Sequence, residues 1–199
     1  EFRRVLFRSF LASYLTKNNL GPMPGESFPF GVAYGYHFDS ALLGEFLAEK
    51  AQSLGVKRIE GRVEDVLVAH DGGVDTIMLS DGQRLAANFF VDCSGFNALL
   101  MQKTLKVSYK SFKENLFNNA AVVLPSKMVQ EFPVETKATA LSNGWAWKIP
   151  LRNRFGNGYV YSSDFINDDQ AETELRQHLA CLDSDQQARH LKMQVGRLE

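Results

Sequence analysis

A mixed α/β domain with a second, antiparallel sheet attached is the fold class this sequence predicts, and three observations predict it. A clear amphipathic helix at 36–55 leads into two short runs broken by Asp-Gly turns, which is the pattern of a β-meander. The segment "FFV" at 89–91 is apolar on both faces, as a buried parallel strand is, and it ends in the glycine-containing loop "DCSG". From Ala120 onward, strand-like segments follow one another between turn signals, without helical crossovers. At 199 residues, 45% hydrophobic and 23% charged, the chain has material for a core. A formal charge of −1 gives no electrostatic footprint for nucleic acid or an anionic membrane, so neither is expected as a partner.

The opening "EFRRVLFRS" has no initiator methionine and does not fit a signal peptide; it reads like a translated sequencing adapter, so residues 1–9 are expected to be non-native and the chain to be truncated at both ends. "FLASYLTKNN" reads as the end of a helix, and "GPMPGESFPFG" as an irregular loop forced by proline and glycine. In "YHFDSALLGEFLAEKAQSLG", Asp39 caps the helix, Leu42, Leu43, Phe46, Leu47 and Ala51 form one stripe, and Gly55 stops it. "VKRIE", "RVEDVLVAH" and "VDTIMLS" read as strands, and "RLAANFFVDCSG" as a strand ending in a loop. "FNALLMQKTL" is a short helix, "AAVVLP", "TKATALS", "GWAWKIPL" and "GYVYSSDF" are strands, and "NG" and "RNRFGNG" are turns. "INDDQAETELRQHLACL" returns to helix, with Asp168 or Asp169 near its N-terminus.

The stretch "GWAWKIPL" holds both tryptophans of the chain. Side chains alternate along a strand, so Trp145, Trp147 and Ile149 share one face and Ala146 and Lys148 the other. Such a strand is either part of a core or a wall beside a planar cofactor or substrate. Pro150 cannot donate to a ladder, so the strand ends or reaches an edge there.

Other chemistries find little support. His37, His70, His178 and His190 are scattered without ligand spacing, so no metal is expected. Cys93 and Cys181 lie far apart, which points to a reducing cytoplasm rather than to a disulfide framework. Ser94 lacks a G-x-S-x-G elbow, and Cys93, without an activating base, is expected to be a buried thiol. The position of "VDCSG" matters more, because ligands gather at the carboxyl ends of strands in open α/β sheets and Gly95 allows close backbone approach. The G-x-G-x-x-G fingerprint does not occur in this chain.

Taken in order, "YHFDSALLGEFLAEKA", "GRVEDV", "FFVDCSGFNALL", "GWAWKIPL", "GNGYVYSSDF" and "VGR" resemble the middle of the flavin-dependent tryptophan halogenase family, from about Ala33 to Arg197. The pattern W-x-W-x-I-P, here Trp145, Trp147, Ile149 and Pro150, separates these halogenases from the flavin monooxygenases that share their fold. The resemblance implies an FAD/NAD(P)-binding fold of the glutathione-reductase type, with a β-meander and a substrate-side antiparallel sheet. It divides the chain into a partial FAD-binding domain at 10–105 and a partial substrate-side region at 106–199. It also implies that reduced FAD, oxygen and halide yield a hypohalous oxidant, which a lysine and a glutamate direct onto an indole ring. In the family the fingerprint and the lysine precede the matched region and the glutamate and halide loop follow "VGR", so no catalytic residue is expected among these 199. Val63 matches the position whose backbone meets the adenine end of FAD, and Asp92 and Gly95 stand at the strand end beside the expected cofactor cleft. The family is often dimeric, acts on small aromatic substrates and draws reduced flavin from a separate reductase. Two other readings remain open: an FAD-dependent aromatic monooxygenase, and a non-catalytic β-sheet binding module with the indoles as its platform.

Overall fold

A computed structural model describes residues 11–23, 25–29, 31–129, 132–182 and 184–199; the opening 1–9 lies outside them. In chain order the elements are α1 (11–17), α2 (Ser40–Ser53), β1 (Val63–Val68), β2 (Val74–Leu79), β3 (Arg84–Ala86), β4 (Tyr109–Ser111), β5 (Ala120–Lys127), β6 (Lys137–Leu141), β7 (Gly144–Pro150), β8 (Arg154–Tyr161), α3 (Asp168–His178), β9 (Arg189–Lys192) and β10 (Gly196–Leu198). They fall into two compact units, each assembled from two stretches of chain: one within Glu1–Leu43 and Ala120–Lys192, the other in Gly44–Asn119 and Met193–Glu199.

The first unit is built on a five-stranded sheet, ordered β6-β7-β8-β5-β9 with every pairing antiparallel. Its core lies on one face, where Ala120, Val122, Leu124, Ala146, Tyr159 and Tyr161 meet Ala171 and Leu175 of α3. The helix starts where a capping box forms: the Asn167 side chain accepts from the Gln170 N–H at 2.9 Å, and the Gln170 side chain accepts from the Asn167 N–H. The cap is therefore Asn167, with Asp168 and Asp169 in the first turn, where their charge favours the helix dipole. Two core tyrosines fasten α3 to the sheet. Tyr159 donates to Glu174 at 2.9 Å and Tyr161 to Asp168 at 2.8 Å.

The second unit contains the meander β1-β2-β3 and the small β4-β10 pair. Its turns close as the Asp-Gly signals require: Asp71 accepts from Gly73 N at 3.0 Å and Asp81 from Gln83 N at 2.9 Å. The helix α2 forms as expected, with Asp39 accepting from Ala41 N at 3.0 Å, but no residue of it is buried and Leu42, Phe46 and Leu47 of the stripe are exposed.

Several expectations are corrected. Residues 56–60 and 88–91 form no strand, and Phe89 is 80% exposed. A parallel strand draws its ladder from neighbours remote in sequence, and every ladder among the described residues is antiparallel; "RLA" pairs only because the preceding hairpin brings β2 to it. "FNALLMQKTL" folds as a 3₁₀ turn, Gly95–Asn97, and a π-helical turn, Leu99–Thr104. "RNRFGNG" is not all turn. The chain reverses between Leu151 and Arg154, whose N–H···O bond is 2.8 Å, and Phe155–Gly158 belong to β8. The strands β4, β9 and β10 are three or four residues long and pair with distant partners, so no local pattern announced them.

Candidate functional site

The tryptophan strand β7 sits between β6 and β8, and its register fixes the two faces. Trp145 stands opposite Ala140 and Val160, Trp147 opposite Ala138 and Gly158, and Ile149 opposite Gly156. Small cross-strand neighbours leave room for the indoles to lie across the sheet. A Cβ at Gly158 would collide with Cζ2 and Cη2 of the Trp147 indole, so glycine here is a requirement of close packing. The two indoles are 6.0 Å apart between centroids, tilted by 54°. Ala146, on the opposite face, is 2% exposed in the core, whereas Trp145 is 43% exposed. The indoles thus form a wall on the face away from α3 rather than a share of the core. Pro150 ends β7 as the missing donor requires, buried and paired with Phe155.

In the second unit, the loop after residue 91 is organised by one carboxylate. Asp92 Oδ1 accepts from the Ser94 hydroxyl at 2.6 Å and the Ser94 N–H at 3.1 Å; Oδ2 accepts from the N–H groups of Leu100 at 2.9 Å and Met101 at 3.0 Å. The Ser94 hydroxyl oxygen in turn accepts from Leu99 N at 2.7 Å. Asp92 thereby caps the π-helical turn, and the Ser94 hydroxyl, helped by the three N–H donors, holds its carboxyl down at about 2. The turn between them is tight: Gly95 has φ +62° and Ala98 φ +40°. Among the described residues, apart from the neighbours of Gly95 in the chain, no atom lies within 4 Å of where a Gly95 side chain would begin, which leaves the backbone open to a ligand. Cys93 is exposed, which corrects the expectation of a buried thiol; residues 88–91 before it form no strand that would carry it into a sheet.

Val63 opens β1, half-buried opposite Leu79, with a register shift between it and Asp65. Strand β1 packs against the π-helical turn, so Val63, Asp92 and Gly95 belong to one compact unit. An FAD contact through backbone fits the open Gly95; the Asp92 carboxylate, already filled by four donors, fits a role in shaping the loop. Sequence reasoning missed the part of Ser94, although D-x-S ahead of a helical segment is a capping pattern. It also missed the ion pair of Asp39 with Arg154 at 2.6 Å, which no spacing could reveal. Arg154 holds the Asp39 carboxyl below its usual range. Among the described residues, no group of three His, Cys, Asp or Glu side chains is placed to hold a metal, and no helix is long and apolar enough to cross a membrane.

The family profile described as tryptophan halogenase matches residues 9–199. The tryptophan 6-halogenase of Streptomyces toxytricini is 36% identical over 83% of this chain and 32% of its own length. The tryptophan 7-halogenase of Lentzea aerocolonigenes is 36% identical over 82% of this chain, again 32% of its own. Among solved structures, a flavin-dependent halogenase from Xanthomonas campestris superposes with TM-score 0.84 at 33% identity, over 93% of this chain and 37% of that one. The chain spans about a third of the length of the relatives it matches. With the profile covering nearly every residue, the indole wall and the Asp92 loop belong to a chain that is a member of the tryptophan halogenase family.

Proposed function

We propose that the protein carrying this chain is an FAD-dependent halogenase, acting on tryptophan, indole or a related electron-rich aromatic, with halide as co-substrate and reduced flavin from a separate reductase. The observation that carries this reading is the indole wall: Trp145 and Trp147 in the family pattern, side by side on the face away from the core. FAD, when bound, supplies the activation of oxygen. The backbone at Val63 and Gly95 would hold it, and Asp92 would act through the loop by fixing Ser94 and the N–H groups of Leu100 and Met101. The indoles would act as a barrier to a bulky aromatic, leaving a small halide as the reactive partner. A monooxygenase would not be expected to carry "GWAWKIPL", and family membership favours neither that reading nor a binding module.

The test must keep an aromatic ring in the wall, because truncating a large packed aromatic costs up to about 3–5 kcal/mol and a bare loss of activity would report packing alone. In the intact enzyme, Trp147→Phe should remain folded and flavin-bound while halogenated product per reduced flavin falls and hydrogen peroxide or oxygenated product rises in step. Both products are measured on one sample. An unchanged partition with only a lower melting temperature would make the wall structural.

A further inference from the structure

On the core face of the five-stranded sheet, beyond the end of α3's packing, a cavity of about 400 Å³ opens in the first unit. Three lysines line it, Lys17, Lys137 and Lys148, against one acidic residue, Glu135; Phe155 and Pro150 give it apolar walls. Lys137 and Lys148 are direct cross-strand partners on β6 and β7, and they share this face. Like charges directly opposite each other destabilise a strand pair, so the arrangement works against the sheet unless something between them compensates. Among the described residues, none of the three lysines has a carboxylate within ion-pair distance. Lys148 is half-buried, its Nζ 4.1 Å from the centroid of the Phe155 ring rather than extended into water. The neutral donors nearby are already used: the Thr16 hydroxyl donates to backbone carbonyls of its own helix and the Asn19 amide to Phe132 O at 2.7 Å. The cationic groups are what remains free to bind.

We propose that this cavity is a site for a small, multiply charged oxyanion, a phosphate or polycarboxylate group on a compact body, clamped between Lys137 and Lys148 with Lys17 closing over it. Two ammoniums brought together by the sheet register give charge-assisted donors to one anion, and its negative charge removes the repulsion between them. The apolar walls accept the uncharged part of the ligand. The site is independent of the halogenase reading, since the paired Lys137 and Lys148 lie on the sheet face opposite the indoles.

Pyrophosphate and citrate, titrated into the intact protein by calorimetry at constant ionic strength set with sodium chloride, are the probes. Binding of either is expected, weakened about tenfold by Lys137→Gln and by Lys148→Gln, as the loss of one charge-assisted bond implies. Lys57→Gln, on the other unit, is the control and should leave affinity unchanged. A second readout is thermal: without anion, Lys137→Gln should melt no lower than the parent because a repulsion is relieved, and added pyrophosphate should raise the melting temperature of the parent but hardly that of the variant. No saturable binding of either probe, or equal binding in all variants, would overturn the site. So would a Lys137→Gln protein that melts well below the parent in anion-free buffer, because Lys137 would then be a structural stabiliser.

Discussion

Asp92 shows how much one side chain can organise. Its two oxygens accept four donors from Ser94, Leu100 and Met101, and this depresses its carboxyl to about 2. A carboxylate whose folded value lies below its unfolded one contributes stability at pH above about 4 and loses it as pH falls through the folded value, so the contribution fades between about 4 and about 2. Asp92→Ala is expected to cost about 1 kcal/mol at neutral pH, the usual worth of a helix cap. It should also remove that acid step from the dependence of stability on pH. Denaturant melts from neutral to acid pH check both, and a variant that keeps the same acid step would refute the assignment.

Among the elements, α3 depends on the tyrosine pair. Burial raises Tyr159 to about 12 and pushes Tyr161 higher still, and the carboxylates that accept from them push the same way. Burial works to raise Glu174 as well, but the hydrogen bonds from Ser142 and Tyr159 outweigh it and its carboxyl lies below the usual range. A neutral phenol preferred in the folded state stabilises fully below pH 10; for Tyr159 this support is lost between about 10 and about 12. Tyr159→Phe removes the donor to Glu174 and the acceptor for Asn143 N, both in partly buried surroundings. The expected loss is about 1–3 kcal/mol, with the alkaline decline in stability reduced to the share of Tyr161. Chemical denaturation of the two proteins at neutral and alkaline pH measures it.

For the molecule as a whole, the apolar residues left in water are informative. In the second unit, Phe46, Leu47, Phe89, Val91 and Phe96 are all exposed, far more large apolar side chains than a lone stable unit presents. The 199-residue chain by itself is therefore expected to bind an environment-sensitive dye such as anilinonaphthalene sulfonate under native conditions, and Phe89→Ser with Phe46→Ser should cut the fluorescence by about half or more. A chain that leaves the dye dark and melts sharply would show these surfaces covered.

Local chemistry is legible in the amino-acid order. The meander, α2 with its Asp39 cap, α3, and β7 ending at Pro150 follow from turn residues, periodicity and a missing donor, all within a few residues of one another. The alternation Trp-Ala-Trp also fixed which residues share a face. Tertiary structure decided the rest. Alternation cannot say which face is the core, and the sheet gave that to Ala146 because α3 packs there while the indoles lie across Gly158. Nor can it say whether "FFV" finds a neighbour, since a parallel ladder depends on a partner remote in sequence. The pairing of Lys137 with Lys148, of Asp39 with Arg154, and of β4 with β10 rests on the same fact: register and proximity are set by chain segments that no local pattern connects.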